Sequence, residues 1–433
     1  MIVARLFNKG DMTFNRNIIK RWILCLSMSI VVVFLSYIIN NLDKPFSDGE
    51  KRIVKTVENY RNNRGKGTPY EDYSDKCLLI NTSFDKILIK KYDEYGFEIG
   101  REAVTDRALL TEFLRILDEN NNYNLIVVDI DMSNSIVEGQ DSAFVGENRD
   151  LANLISTMNR VLVSQPVNDK GGLEPMLDSS LNSKTALASY VRTYAISDMV
   201  AIPLMTRGLK TIPFRMAEIS SGAVMGVKGI FYTYGDYLCR KKVIPVQYLS
   251  YGQSDSVMVG EMPADRTVYF NLGADIMANP DEIVERCEDK IIMIGDFEND
   301  LHDTYYGTIP GAVILLNAYF SILNGWHLVH WWWVVVLVIA YSLVFYCTLF
   351  PDVLSLKRSD KKVAKVLHFI TKYVLTISIV IFSLKVIALY MVHTDYYAAT
   401  AATLFAIVIA IYKLVLFFKE KVVMPIYNKA RKS

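Results

Sequence analysis

The octet from Asp296 to Asp303, "DFENDLHD", packs four carboxylates and one imidazole into eight residues. Side chains of these types can hold a divalent ion, move a proton, or simply solvate a turn. The octet follows the apolar run "KIIMIG" (290–295) and precedes "GTIPG" (307–311). In a parallel α/β sheet, ligands bind beyond the carboxyl ends of the strands. Two other apolar runs end in polar residues in the same way. "NLIVVDIDM" (124–132) carries Asp129 and Asp131, and "CLLINTSFD" (77–85) carries Asn81, Ser83 and Asp85. If these three strands are neighbours and parallel, one rim brings together Asn81, Asp85, Asp129, Asp131, Asp296, His302 and Asp303 as a candidate ligand site.

Heavier chemistry finds less support. The octet has a single His, and no CxxC or Cys/His cluster supplies partners, so neither a metal centre nor a cofactor is expected. Asp129 and Asp131 alternate along a strand and point to opposite faces, unlike a glycosidase carboxylate pair. The GxSxG, HExxH and P-loop signatures are missing from the sequence, and no enzymatic activity is expected. Gly307, Pro310 and Gly311 read as a hinge: the glycines permit tight backbone, and Pro310 fixes the start of the next helix. Asp106 and Arg107 read as a helix cap with an ion pair, or as part of a buried polar network.

These residues need elements to position them. The run at 77–83, that at 124–132, "VLVSQPV" (161–167) and 290–296 read as buried strands, with amphipathic helices at 105–120 and 149–160 between them. Leu109, Leu110, Phe113, Leu114 and Leu117 line one face of the first helix. Thr105 or Asp106 can cap it. Strands alternating with helices predict an α/β fold with a mostly parallel sheet flanked by helices. Between 168 and 289 the pattern weakens to short, partly antiparallel runs, with "NPDEIVERC" as a short helix. The segment 311–325 reads as the last helix.

Apolar residues make up 52% of the 433 residues, but they are concentrated at 22–39, 331–350, 373–392 and 397–418. A bilayer core of about 30 Å takes roughly 20 apolar residues, so four transmembrane helices are expected, one before the polar middle and three after it. Lys385 and Lys413 are expected to snorkel to the headgroups. Basic residues before the first span, at 351–368 and after the fourth place both termini in the cytoplasm and 41–327 outside. The expected organisation is a cytoplasmic segment 1–21, spans at 22–40, 328–350, 369–392 and 397–418, a basic loop 351–368 and a basic tail 419–433. No small-x-small site follows the first apolar run, so it reads as an uncleaved anchor. "WWW" (331–333), with Trp326 and His327, reads as an interfacial anchor. The net charge of +1 suggests no nucleic-acid partner. Cys77, Cys239 and Cys287 allow at most one bridge outside the membrane.

The pieces "LLINTSFDK", "TDRALLTEFLRIL", "LIVVDIDM" and 290–325 come in an order that resembles the second type of CHASE domain. That is a sensory extracellular domain associated with cyclases and histidine kinases. The resemblance covers roughly 50–327 and implies sensing, with one span before the domain and two or three after it. Family members commonly end in a cytoplasmic output enzyme. Here only 15 residues follow the fourth apolar segment, so the signal is expected to pass to a separate output protein. The expected setting is a bacterial inner membrane with a periplasmic domain. The expected partners are the lipid bilayer and a small ligand or an envelope protein. The alternative is an envelope assembly protein that binds another protein and has no small-molecule ligand.

Overall fold

The architecture is that of a computed structural model describing residues 12–41, 52–57, 60, 73–93, 95–132, 142–166, 173–176, 178–187, 201–206, 208–246, 248–249, 269–304, 307–350, 376–392, 398–418 and 421. The chain forms two compact units, one of residues 45–328 and one of 1–44 with 329–433. The basic loop 351–368 and nearly all of the basic tail lie outside the described residues.

Helix α1 (Met12–Asn40) comes first. In the 45–328 unit, β1 (Cys77–Asn81) is followed by a hairpin of β2 (Lys86–Tyr92) and β3 (Glu98–Thr105). Next come α2 (Arg107–Asn120), β4 (Leu125–Asp129), α3 (Ser142–Thr157), β5 (Val161–Gln165) and β6 (Thr185–Leu187). Helix α4 (Ile212–Ser221) leads into a meander of β7 (Met225–Lys228), β8 (Phe231–Tyr234) and β9 (Tyr237–Cys239). Then come β10 (Tyr269–Asn271), α5 (Pro280–Cys287), β11 (Ile291–Gly295), β12 (Leu301–Thr304), β13 (Gly307–Pro310) and α6 (Gly311–Leu323).

Six strands form one parallel sheet in the order β10-β1-β11-β4-β5-β6. Both of its faces are covered, which is why the central strands read as unbroken apolar runs. Leu78, Ile80, Ile126, Val128, Ile292 and Ile294 pack under α2, α3 and α5. Their neighbours Leu79, Leu125, Val127, Ile291 and Met293 pack under α4 and α6. Every residue of α6 from Gly311 to Ile322 is buried, as expected of a helix that is apolar all round. Its two polar side chains are stitches. Asn317 Oδ1 accepts from the N–H groups of Tyr248 and Leu249, both at 2.9 Å, and Ser321 Oγ from Val246 N–H at 2.8 Å.

The predicted helix at 149–160 starts earlier, at Ser142. Asp106 caps α2, accepting from Leu109 N–H at 3.0 Å. Among the described residues Arg107 makes no ion pair in hydrogen-bond contact. It is fully buried and donates from Nη2 to the carbonyl of Asp131 at 2.7 Å. Burial pushes its guanidinium down to about 10, against the pull of Asp131. The predicted hinge is a paired strand: Thr304 faces Gly307 and Leu301 faces Pro310 across the β12–β13 hairpin. Gly307 sits at φ 129°, which a side chain would resist. Trp326 and His327 belong to the domain core and not to an interfacial belt. Trp326 Nε1 donates to Tyr248 Oη at 2.6 Å, and His327 is fully buried edge-on to Tyr234. Cys77, Cys239 and Cys287 are buried free thiols.

In the other unit, α1 packs with α7 (Trp331–Leu349), α8 (Thr376–Val392) and α9 (Ala398–Phe418). Among the described residues two helices, not four, are long and apolar enough to cross a membrane: Ile18–Asn40 and Trp331–Leu349. The apolar stretches described in α8 and α9, Val380–Leu389 and Ala402–Phe418, fall short of 18 residues. Lys385 does not reach outward as expected but is buried within this unit, beside Leu384 and Ala388. Ser342 Oγ donates to Ser29 Oγ at 3.1 Å, a polar contact between α7 and α1.

Candidate functional site

Strands β1, β11 and β4 are adjacent and parallel, with Asn81, Gly295 and Asp129 in register. Asn271 extends that row on one side. On the other side Asp129 lies one step beyond the Val128–Val163 pair and accepts from the Ser164 hydroxyl. A polar rung, Asn271–Asn81–Gly295–Asp129–Ser164, therefore crosses the carboxyl end of the sheet. Alternation along each strand puts all five on the α4/α6 face.

The left half of the rung is saturated. Asn81, fully buried, donates from Nδ2 to Asn271 Oδ1 at 3.0 Å. Its Oδ1 accepts from Ser83 N–H at 3.0 Å and Phe297 N–H at 3.1 Å. Asp296 accepts from the Ser83 hydroxyl, from Lys86 Nζ at 2.6 Å, and from the backbone N–H and side-chain amide of Asn299 at 2.9 and 3.0 Å. Burial works against its charge. Lys86, Ser83 and Asn299 win, and hold the carboxyl well below the usual carboxylate range. Asp85 accepts from Gly273 N–H at 3.1 Å and so anchors the turn after β10. Burial raises its carboxyl, and the Gly273 and Leu272 N–H groups moderate the rise. A β-carbon on Gly273 would run into the Asp85 carboxylate, so a side chain there would push that carboxylate off the turn.

The right half is open. His302 Nε2 lies 2.8 Å from Asp300 Oδ1. Both side chains press against the start of α6: Gly311 N–H donates to the Asp300 carbonyl at 2.8 Å. A β-carbon on Gly311 would collide with the Asp300 carboxylate and come within 3.3 Å of His302 Cδ2. Asp129 sits beside the same helix start. A β-carbon on Gly295 would lie 3.6 Å from those of both Asp129 and Ala312. Burial pushes Asp129 up to about 6, and the charge of Asp300 adds to the rise; Ser164 and His302 oppose it. The Asp300 hydrogen bond raises His302 above its ordinary value against the effect of burial, and Asp300, Asp129 and Asp303 add to the rise.

The seven predicted site residues thus separate. Asp129 and His302 come together at the start of α6. Asn81 and Asp296 spend their polar atoms holding loops, and Asp85 holds the turn after β10 through Oδ1, while its buried Oδ2 meets no hydrogen-bond partner among the described residues. Asp131 is exposed beyond β4, with its carbonyl on Arg107. Asp303 accepts from Thr308 Oγ1 at 2.6 Å within the hairpin. The sequence reading passed over Lys86, Ser164 and Asn271. The last two end apolar strands with a polar residue, the signal that had marked Asn81 and Asp129. Among the described residues no group of three or more His, Cys, Asp or Glu side chains is arranged to hold a metal ion.

No curated protein and no solved structure matches the chain. The sequence profile of the CHASE2 domain matches residues 71–349, from just before β1 to the end of α7. The open and saturated halves of the rung, the six parallel strands and α6 all fall inside that span, and the chain belongs to the CHASE2 domain family, a family of sensory extracellular domains.

Proposed function

We propose that the chain is a membrane-anchored sensor whose 45–328 unit lies outside the cytoplasmic membrane and reports a ligand at the carboxyl rim through α6. One observation carries this reading. Helix α6 begins under the rim at Gly311 and runs to the amino ends of the strands, about 20 Å along its axis. There Asn324 Nδ2 donates to the hydroxyl of Tyr73, just before β1. Residues 324–330 then lead the chain into α7. A change at the rim is thus connected through one element, buried from Gly311 to Ile322, to the point where the chain leaves the domain. The ligand must bind one arrangement better than the other, because equal affinity would shift nothing.

The rest of the reading is topological. Cytoplasmic termini and a 45–328 unit outside fit the basic residues that flank the apolar segments, with Ile18–Asn40 and Trp331–Leu349 as spans. Signal output then goes to a separate protein. The competing reading is an assembly protein that binds an envelope partner through this domain without switching. A thermal-shift screen of small molecules on the full chain in detergent, paired with affinity capture, separates the two. A stabilising small molecule whose effect is lost on Asp129→Asn or His302→Gln supports the sensor. A stoichiometric protein partner with no stabilising compound sinks it.

A further inference from the structure

We propose that the Asp129–Asp300–His302 cluster is a proton-operated switch, in which gaining protons clamps the β12–β13 hairpin onto the start of α6 and losing them loosens it. The proposal rests on the sensory reading and names its signal. The geometry is that of a sprung joint. Asp300 and His302 are hydrogen-bonded at 2.8 Å, and Asp300 is tied through its carbonyl to Gly311 N–H. Leu301 pairs with Pro310 and His302 with Ile309, so the hairpin runs into α6 without slack. Asp129 approaches from the sheet, beside Gly295 and Ala312.

Among the described residues, no cationic side chain besides His302 faces this point from the packed elements. β5 contributes the Ser164 hydroxyl, and β11 contributes Gly295. The first turn of α6 has no acidic residue and its last turn no basic one. Asp303, on the hairpin, is held by Thr308. Asp296 is already matched by Lys86, and Glu218 of α4 by Lys210 and Arg215. In mild acid the trio is neutral overall: Asp129 carries a proton, and the imidazolium balances Asp300. Once both protons leave, the carboxylates of Asp129 and Asp300 both lie charged beside the start of α6, where the helix N-terminus supplies only a partial positive charge. Like charges in a half-buried site repel strongly, and the exposed partner, Asp300, is the one free to swing away.

Both groups shift upward on folding, Asp129 to about 6. The stability they add is therefore complete below their ordinary values and drains away as pH rises through the folded ones. The test is hydrogen–deuterium exchange of the full chain in nanodiscs, corrected for intrinsic rates, at about pH 5.5 and about pH 7.5. In the wild type, protection of the amides in residues 307–316 is expected to fall on the order of tenfold as pH rises. Asp129→Asn should keep the acid-like protection at both values, and Asp300→Asn should do the same by removing the facing charge. Variants that follow the wild type, or a wild type with no pH response in this segment, overturn the proposal. In the latter case a compound that still stabilises the chain, and loses its effect on His302→Gln, leaves the sensory reading standing. A pH response in the wild type that no compound or cellular output accompanies supports the switch and removes the wider reading.

Discussion

The two halves of the polar rung are built from similar residues at equivalent strand ends, yet they behave in opposite ways. Asn81 with Asp296 and Asp129 with Asp300 each place polar groups at the carboxyl edge of a buried sheet. On the first side every acceptor is met by a donor fixed in the fold: Lys86, Ser83, and the N–H groups of Phe297 and Asn299. On the second side two carboxylates share one imidazole and one hydroxyl. Burial penalises both carboxylates, Asp129 and Asp296. What differs is the donor count, and it sends Asp296 below its ordinary value and Asp129 above it. The edge of one sheet thus holds a rivet beside a titratable joint, and the position along the strand does not tell which is which.

The largest expected effect breaks the rivet. Asn81→Ala removes an acceptor shared by two backbone N–H groups and the donor to Asn271. Leaving those groups buried and unmet should cost about 3 kcal/mol. Chemical denaturation of the full chain would show it, and a loss under about 1 kcal/mol would mean the left half is not a rivet.

The next test sets the two carboxylates against each other. Asp296 has a lowered native value, so its contribution is present above the ordinary carboxylate range and disappears as pH falls through the native one. Asp296→Asn should therefore lose about 1–2 kcal/mol near neutral pH and nothing in strong acid. Asp129 has a raised native value. Asp129→Asn should gain about 1–2 kcal/mol above about pH 6, and the gain should fade below about pH 4. Mirror-image pH profiles sharpen the contrast between the halves, while parallel ones would erase it.

Much of this frame was legible in the sequence. A sheet covered on both faces forces its strands to be apolar at every position, and β1, β4, β5 and β11 showed themselves that way. The β2–β3 hairpin did not, because its alternation is masked: Ile87 and Ile89 turn inward, but Leu88 between them is 67% exposed. The short strands of residues 201–239 are too brief for any period to register. The rim itself was legible as a row of polar residues ending apolar strands. The roles along it were not. Whether Asn81 is free or spent depends on Phe297, 216 positions away, and the state of Asp129 depends on Ser164 and Asp300. Such partners are set by register and by the path of a loop, which composition and spacing do not encode. The local roles within "GTIPG" were hidden for a related reason. Gly307 and Gly311 signalled unusual backbone, but one serves a hairpin turn and the other makes room for two side chains.

The smallest expected effect falls at that second glycine, where the titratable half meets α6. Gly311→Ala would place a β-carbon into the Asp300 carboxylate, 3.2 Å from its Cγ and 3.3 Å from His302 Cδ2. The backbone can stay, since the Asp300 side chain is 46% exposed and can turn into solvent. The cost should therefore be modest, about 1 kcal/mol, mostly the lost Asp300–His302 contact. The informative readout is the imidazole. With Asp300 displaced, the main influence raising His302 is gone, burial dominates, and its titration should move downward. Asp129 should also ionise more readily, because Asp300 no longer faces it. Proton NMR of the His302 ring in the full chain would follow the first shift. If His302 titrates as in the wild type while stability drops, the close approach at Gly311 matters for packing alone, and the joint is no more responsive than the rivet beside it.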